Sequence, residues 1–231
     1  MTDLDTDLKA VAEEANEKLA DASAQEILAW ARETFGDELV VTASMADGVL
    51  PYLASEAAPG VDVLFLDTGY HFIETIGTRD AVAATLEINL VNATPEQTVA
   101  EQDATYGKDL FKRDPDKCCA LRKVAPLNKT LAGYTAWVTG VRREESPTRA
   151  NTQVVEYDER RNMVKLNPIA PWTQDDLDGY IADNGVLVNP LQYDGYPSIG
   201  CEPCTQRVAP GEDPRSGRWA GRAKTECGVH V

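Results

Sequence analysis

Leu39-Val40-Val41-Thr42-Ala43-Ser44-Met45-Ala46-Asp47-Gly48-Val49-Leu50-Pro51 is the stretch whose reading decides the fold. Its first five residues are apolar or β-branched and short enough for one buried strand. Ser44 to Gly48 form a polar turn. A helix opens near Val49 and Leu50, and Pro51 is tolerated in its first turn, where an N–H would lack a helical partner anyway. The same grammar repeats downstream. Val61-Asp62-Val63-Leu64-Phe65-Leu66 is a second strand ending in Asp67-Thr68-Gly69, Phe72 to Leu86 reads as helix, and Ile88 to Val91 is a third strand. Ala136-Trp137-Val138-Thr139 is a fourth, ending at Gly140. Strands alternating with helices predict an α/β fold with a mostly parallel sheet covered by helices on both faces. Ligands of such sheets sit beyond the carboxyl ends of the strands. That rule gathers Ser44, Asp47, Asp67, Gly69, Gly140 and Arg142 around one crevice.

Outward from this centre, residues 5–35 read as helical, with Leu8, Val11, Ala12, Ala15 and Leu19 and then Ile27, Leu28, Ala31 and Phe35 at helical spacing until Gly36. A polar hairpin is expected around Val154 to Lys165. Trp172-Thr173-Gln174-Asp175-Asp176 opens a helix to Asn184, with Thr173 as N-cap. From Asn189 the chain is rich in Gly, Pro and Arg and reads as loops or short helices. No repeat or linker divides it, so the expectation is one domain: N-terminal helices over 1–36, a nucleotide-binding α/β unit over 37–205, and a flexible C-terminal tail over 206–231.

The chain has 231 residues, 43% of them hydrophobic and 26% charged, which is globular composition and enough length for a sizeable core. No apolar run approaches the roughly 18–20 residues of a spanning helix. The acidic start reads as neither a signal nor a transit peptide, so a cytoplasmic location with no membrane partner is expected. With 22 basic and 38 acidic residues the formal charge is −16, which argues against nucleic acid as a partner. The charge is uneven. Residues 1–60 hold 13 acids and 3 bases, whereas residues 117–149 hold 7 bases against Glu144 and Glu145. Residues 205–231 add Arg207, Arg215, Arg218, Arg222 and Lys224, so a small anionic ligand fits the chain better than its total suggests. Forked arginines such as Arg142, Arg143, Arg149, Arg215 and Arg218 clamp phosphate or sulfate where they converge, and otherwise form a solvated basic face.

Five cysteines in a chain without an export signal point to metal or redox chemistry before disulfides. Cys118-Cys119 and Cys201-Glu202-Pro203-Cys204 make two close pairs, suited to a four-thiolate zinc site or an iron–sulfur cluster. Zinc-ribbon pairs keep at least two residues between ligands, so adjacent cysteines tilt the spacing towards a cluster, whose separate irons accept neighbouring thiolates. Isolated buried cysteines are the plainer alternative. Cys227 stands apart near Lys224 and His230; it is either an idle tail thiol or a nucleophile activated by cationic neighbours. The Ser44–Gly48 turn lacks both the P-loop and the GxGxxG signatures, and reads equally as a phosphate contact or an ordinary strand-to-helix turn. Leu66-Asp67-Thr68-Gly69 also resembles the way aspartic proteases present a carboxylate, but no second Asp-Thr-Gly exists to share a proton and the βα pattern is wrong for that class.

Beyond these readings, several stretches resemble the assimilatory adenylyl-sulfate reductases, the cluster-containing branch of the phosphoadenylyl/adenylyl-sulfate reductase family. They are Leu66-Asp67-Thr68-Gly69-Tyr70, Lys117-Cys118-Cys119 with Arg122-Lys123, Trp137-Val138-Thr139-Gly140-Val141-Arg142-Arg143, Asn189-Pro190-Leu191, Gly195-Tyr196-Pro197-Ser198-Ile199-Gly200-Cys201, Arg215-Ser216-Gly217-Arg218-Trp219 and Lys224-Thr225-Glu226-Cys227-Gly228-Val229-His230. The resemblance implies an adenine-nucleotide α-hydrolase-like fold and a [4Fe-4S] cluster on Cys118, Cys119, Cys201 and Cys204. It implies reduction of adenylyl sulfate to sulfite and AMP, with Cys227 carrying an S-sulfocysteine and thioredoxin as reductant, in a chain that forms a homo-oligomer. The catalytic set is then Cys227, His230 and Lys123. Ser44, Arg149, Arg215 and Arg218, with Gly140 at its strand end, are the substrate-binding set. Ser44-Met45-Ala46-Asp47 departs from the family's usual Ser-Gly-containing loop.

Overall fold

The computed structural model describes residues 7–221 together with 224, 226, 228 and 229. Asp7 starts helix α1 (Leu8–Lys18) by accepting the N–H groups of Lys9 and Ala10. The two helical runs expected over 5–35 are two helices, and Ser23 begins the second. In α2 (Ala24–Phe35) the Ser23 hydroxyl accepts the Glu26 N–H at 3.2 Å and the Glu26 carboxylate accepts the Ser23 N–H at 2.8 Å. That reciprocal cap fixes a helix start wherever it occurs. Gly36, at φ 56°, ends α2 as expected.

The nucleating stretch behaves as its pattern predicts. β1 (Leu39–Thr42) leads through the 44–48 turn into α3 (Val49–Ala57), β2 (Val61–Leu66) into α4 (Ile73–Thr85), and the chain returns as β3 (Ile88–Ala93). Four helices follow: α5 (Val99–Tyr106), α6 (Leu110–Arg113), α7 (Pro115–Cys119) and α8 (Ala125–Leu131). A π-helical segment, 120–124, joins the last two, and the Ala125 N–H reaches back to the Ala120 carbonyl. Pro126 has no N–H to offer the carbonyl of Arg122, so the helix loses a regular bond just where its bore widens. After β4 (Ala136–Val138) come β5 (Val155–Asp158), β6 (Met163–Leu166) and α9 (Gln174–Asn184), the last capped by Thr173 as its sequence requires.

The strands form one sheet in the order β3-β2-β1-β4-β6-β5, with all neighbours parallel except the β5–β6 pair. The hairpin expected to be polar is therefore the closing edge of the sheet, and all four residues of β6 are buried, Lys165 included. Its ammonium pairs with Glu156 at 2.8 Å and lies over the Trp137 ring, which lets a lysine occupy an inner strand.

Alternation sorts the strand side chains into two cores. Leu39, Val41, Val63, Phe65, Ala136, Val138, Val164 and Leu166 face the layer that includes α1, α2 and α3. Val40, Leu64, Trp137 and Met163 face α8 through Leu127 and Leu131. Burial on both faces explains why these strands read as continuous apolar runs. The chain fills the sheet outward from β1 to β3, then crosses back to place β4 on the other side of β1. The strand order reverses between β1 and β4, which opens a crevice beyond their carboxyl ends.

Candidate functional site

A crevice of 290 Å³ occupies that position. Thr42 to Ser44 from the end of β1, Leu64 to Leu66 from β2, and Gly140 to Arg142 after β4 line it. The 44–48 turn is held from a distance. Met45 is fully buried at φ 60°, a left-handed conformation uncommon for a residue with a Cβ. Asn189, also fully buried, donates Nδ2 to the Met45 carbonyl at 3.1 Å and to Thr75 Oγ1 at 3.1 Å. Gln192 donates to the Ala46 carbonyl at 2.7 Å, and the Gly48 N–H to the Leu187 carbonyl at 2.8 Å. A Cβ on Gly48 would lie 3.2 Å from that carbonyl, so this glycine admits the clamping segment. Asp47 accepts the Val49 N–H at 3.0 Å across the start of α3, and burial raises its carboxyl above the usual carboxylate range.

Of the six residues assigned to the crevice by topology, Ser44, Asp47, Gly140 and Arg142 line it. Asp67 and Gly69 turn aside, while their neighbours Thr68 and His71 take the lining positions. Asp67 pairs with Arg79 at 3.5 Å, a cation where an aspartic protease needs a second carboxylate. Gly69, at φ 72°, lies under the Arg122 guanidinium, 3.0 Å from where a Cβ would be. His71 is a half-buried ring tucked against Phe65, with Nε2 2.7 Å from the Leu66 carbonyl, and desolvation lowers its pKa, which favours the neutral form.

Lys123, Arg142, Arg149, Arg215 and Arg218 reach the crevice from four separate segments, among the carboxylates Asp47, Glu145 and Glu226. Arg142 donates to Gln174 at 2.7 Å. Arg149 pairs with Glu145 through one nitrogen and with Glu226 through Nε at 3.2 Å and the other terminal nitrogen at 3.0 Å. Burial alone would lower its pKa, but the two carboxylates outweigh that and hold it above the ordinary arginine value. Arg215 reaches Glu226 at 3.2 Å. Arg218 crosses the face of Gly200, where any Cβ would strike its guanidinium, and donates to Ser198 Oγ and the Ile199 carbonyl. Arg143, grouped with these by sequence, instead donates to the Thr152 carbonyl at 2.8 Å and braces its own loop.

A second, smaller cavity adjoins the first. Cys118, Cys119, Cys201 and Cys204 line it with Tyr70, Phe111 and Pro203, and Lys123 and Trp219 are walls of both cavities. Asp114 caps α7 by accepting the Lys117 N–H at 3.0 Å, and Pro115 fixes its first turn, which presents the adjacent cysteines together. The second pair is braced by Thr205, whose hydroxyl donates to the Cys201 carbonyl at 2.9 Å and accepts the Gly200 N–H at 3.2 Å. Thr68 Oγ1 lies 3.3 Å from Cys201 Sγ. All four sulfurs are free of disulfides. Burial pushes the Cys118 thiol up to about 12, and the nearby charges of Cys119, Cys201 and Cys204 add to the effect. Such a thiol stays protonated unless a bound cation favours its thiolate. Among the described residues, no three His, Cys, Asp or Glu side chains converge on a point that would hold a single ion.

The end of the chain returns to these cavities. Lys224 pairs with Asp116 and lies over the Trp219 ring at 5.5 Å. Glu226 takes the arginine contacts given above. Val229 is buried with Trp137, Leu127 and Leu131, and its carbonyl accepts from Arg161 at 3.3 Å. The expected nucleophile Cys227 and its companion His230 lie outside the described residues.

Comparison with known proteins bears on this arrangement. The model of the phosphoadenosine phosphosulfate reductase domain matches residues 38–207. The chain belongs to this family. An adenosine 5'-phosphosulfate reductase of Streptomyces coelicolor is 64% identical over 224 residues, covering 97% of this chain and 95% of that one. One from Mycolicibacterium smegmatis is 60% identical over the full length of both. Among solved structures, a phosphoadenylyl-sulfate reductase of Candida auris in a phosphate complex superimposes with a TM-score of 0.72 at 28% identity, covering 85% of this chain and 96% of that one. The FMN adenylyltransferase of Candida glabrata shares the fold alone, with a TM-score of 0.55 at 13% identity over 90% of this chain and 80% of that one. The reductase family thus carries the adenine-nucleotide α-hydrolase-like sheet, and no described helix is long and apolar enough to cross a membrane. Sequence reading had named every basic residue of the crevice but not the carboxylates that pair with them as lining groups, nor the clamp through Asn189 and Gln192.

Proposed function

We propose that this chain reduces adenylyl sulfate to sulfite and AMP in sulfate assimilation, with a dithiol protein such as thioredoxin as reductant. The observation that carries this reading is the shared wall of the two cavities: Lys123 stands between a basic crevice at a nucleotide-binding edge and a four-cysteine pocket. Ser44, Gly140 and the clamped 44–48 turn receive the nucleotide, and Arg149, Arg215 and Arg218 its phosphosulfate end. The Cys227 thiolate attacks the sulfate sulfur, the bond from sulfur to the bridging phosphate oxygen breaks, and AMP leaves. Lys123, Arg215, Arg218 and His230 stabilise the charge that develops on the leaving oxygen. One thiolate of the reductant then attacks Cys227 Sγ and expels sulfite; its second thiol closes the reductant's disulfide and returns Cys227. The sulfur gains two electrons and the dithiol loses two.

Cys118, Cys119, Cys201 and Cys204 fit a [4Fe-4S] cluster: all four sulfurs line one pocket, and adjacent Cys118 and Cys119 suit separate irons better than a single ion. When bound, the cluster supplies local charge and order beside the sulfate end of the crevice. The working division is N-terminal helices over 1–36, a nucleotide-binding α/β unit carrying the cluster over 37–205 and a C-terminal catalytic tail over 206–231, in a cytoplasmic homo-oligomer.

The relatives at 55–64% identity carry the name adenosine 5'-phosphosulfate reductase, which favours the unphosphorylated 3′ position. The holoenzyme supplied with thioredoxin should turn over adenylyl sulfate at least about a hundredfold more efficiently than its 3′-phosphorylated form, the discrimination expected of a site matched to the substrate its relatives are named for. Equal kcat/KM values, or preference for the phosphorylated substrate, would reverse the assignment. Gly200→Ala supplies a geometric check. The added methyl must displace the Arg218 guanidinium, so a KM raised about tenfold, with iron content unchanged, is expected from losing one charge-assisted contact. An unaltered KM in a folded variant would remove Arg218 from the substrate-binding set.

A further inference from the structure

Glu226 is the one acid of the C-terminal motif, and the proposed chemistry gives it no task. Its side chain is 16% exposed, and its carboxylate is shared by two arginines from different parts of the rim. Arg149 comes from a short loop after β4 and Arg215 from the turn before Trp219, and Glu145 braces Arg149 on its far side. An arginine with carboxylates on all three of its nitrogens is held in one orientation.

Two further contacts bracket the same segment. Two residues before Glu226, Lys224 is pinned to Asp116, which lies two residues before Cys118 on α7. Three residues after it, Val229 is buried in the core beneath the sheet, and Arg161 holds its carbonyl. Neither contact involves the arginines of the crevice.

From these we infer that Glu226 is a positioning residue: its carboxylate, latched by Arg149 and Arg215, seats the segment that carries Cys227 at the crevice for attack on bound substrate. This deepens the proposed function and rests on Cys227 as sulfur acceptor. Arg149 then has a role beyond binding, as the post to which the tail is tied. A contrasting idea makes Glu226 a placeholder that occupies the anion site until substrate expels it. The separate pins at Lys224 and Val229 favour the latch, because they keep the segment beside the rim, where Glu226 sets its final seating against Arg149 and Arg215.

The test uses cluster-loaded enzyme with adenylyl sulfate and no reductant, and follows sulfonation of the tail peptide by mass in a single turnover. Glu226→Gln keeps the shape and removes the charge. Sulfonation is expected to slow by about 10- to 100-fold, the range produced when a reacting group loses its alignment. AMP affinity should change less than about threefold, and Glu226→Asp, which keeps the charge on a shorter arm, should recover part of the rate. Iron content and Tm control for folding. Unchanged sulfonation in Glu226→Gln overturns the latch, and so does AMP binding that tightens severalfold without loss of sulfonation, the signature of a placeholder. Failure of the underlying reading looks different: Cys227→Ser would still yield sulfonated protein or sulfite, whatever Glu226 does.

Discussion

Cys227→Ser is expected to lower sulfite production by at least about three orders of magnitude, the scale of losing a covalent nucleophile. A hydroxyl near neutral pH is almost entirely protonated and its anion is poorly matched to sulfur, whereas a thiol ionises far more readily to a soft nucleophile. The substitution exchanges one sulfur for an oxygen and leaves the described lining of the crevice unchanged. AMP binding and the visible spectrum of the cluster should therefore persist. The decisive measurement pairs steady-state sulfite release with the mass of the tail peptide after substrate alone, which should rise in the parent enzyme and not in the variant. Sustained sulfite release from Cys227→Ser would place the acceptor elsewhere, with Cys118, Cys119, Cys201 and Cys204, which line one pocket with Lys123, the remaining thiols.

The second large effect belongs to the sulfur pocket. Cys201→Ser is expected to purify with far less iron and acid-labile sulfide than the parent, which should be brown and hold the two in near-equal amounts. Activity should fall by about a hundredfold or more, and the Tm should drop, because metal binding at a site assembled by folding is itself folding free energy. Cys201 is the choice because its surroundings report on both cavities. Its sulfur adjoins Thr68 of the crevice lining, its carbonyl is held by Thr205, and the Gly200 beside it carries Arg218 across its face. Parent protein containing zinc and no sulfide would instead make the pocket a structural zinc module, and full activity in an iron-free Cys201→Ser would detach the pocket from the chemistry altogether.

How much of this was written in the primary structure differs by element. The strands of the parallel sheet were legible because burial on both faces leaves unbroken apolar runs, as in Val61 to Leu66. Thr173 was legible as a cap because its bonding partner lies three residues away. The 99–131 region was not, since α6 is a single turn and the π segment interrupts the 3.6-residue period on which helix reading depends. The hairpin at 155–166 was misjudged as polar because Lys165 and Glu156 neutralise one another only across strands.

The site shows the same division. Cysteine pairing and clustered bases are local signals and were read directly. The clamp on Met45 comes from Asn189, 144 residues away, and nothing near either residue announces it. Counting bases along 117–149 also overstated the free positive charge, since Arg149 is paired with Glu145 four residues before it and Glu226 far beyond it.

The anchorage of the tail has a kinetic consequence. Only six residues separate Trp219, itself fixed by the Cys204 carbonyl, from Glu226. A segment on so short a leash has an effective local concentration of order millimolar even when undocked. Re-docking is then a rapid intramolecular event, while capture by an external dithiol is a bimolecular one at the concentration of a cellular protein. On the proposed mechanism, a sulfonated tail would undock many times for each encounter with a reductant, and the fraction of time spent undocked would set the rate of discharge. Each pin along 224–229 therefore pulls the two half-reactions in opposite directions: tighter seating speeds loading and slows unloading. Turnover is fastest at an intermediate grip, and several weak contacts reach that grip with finer gradation than one strong contact could.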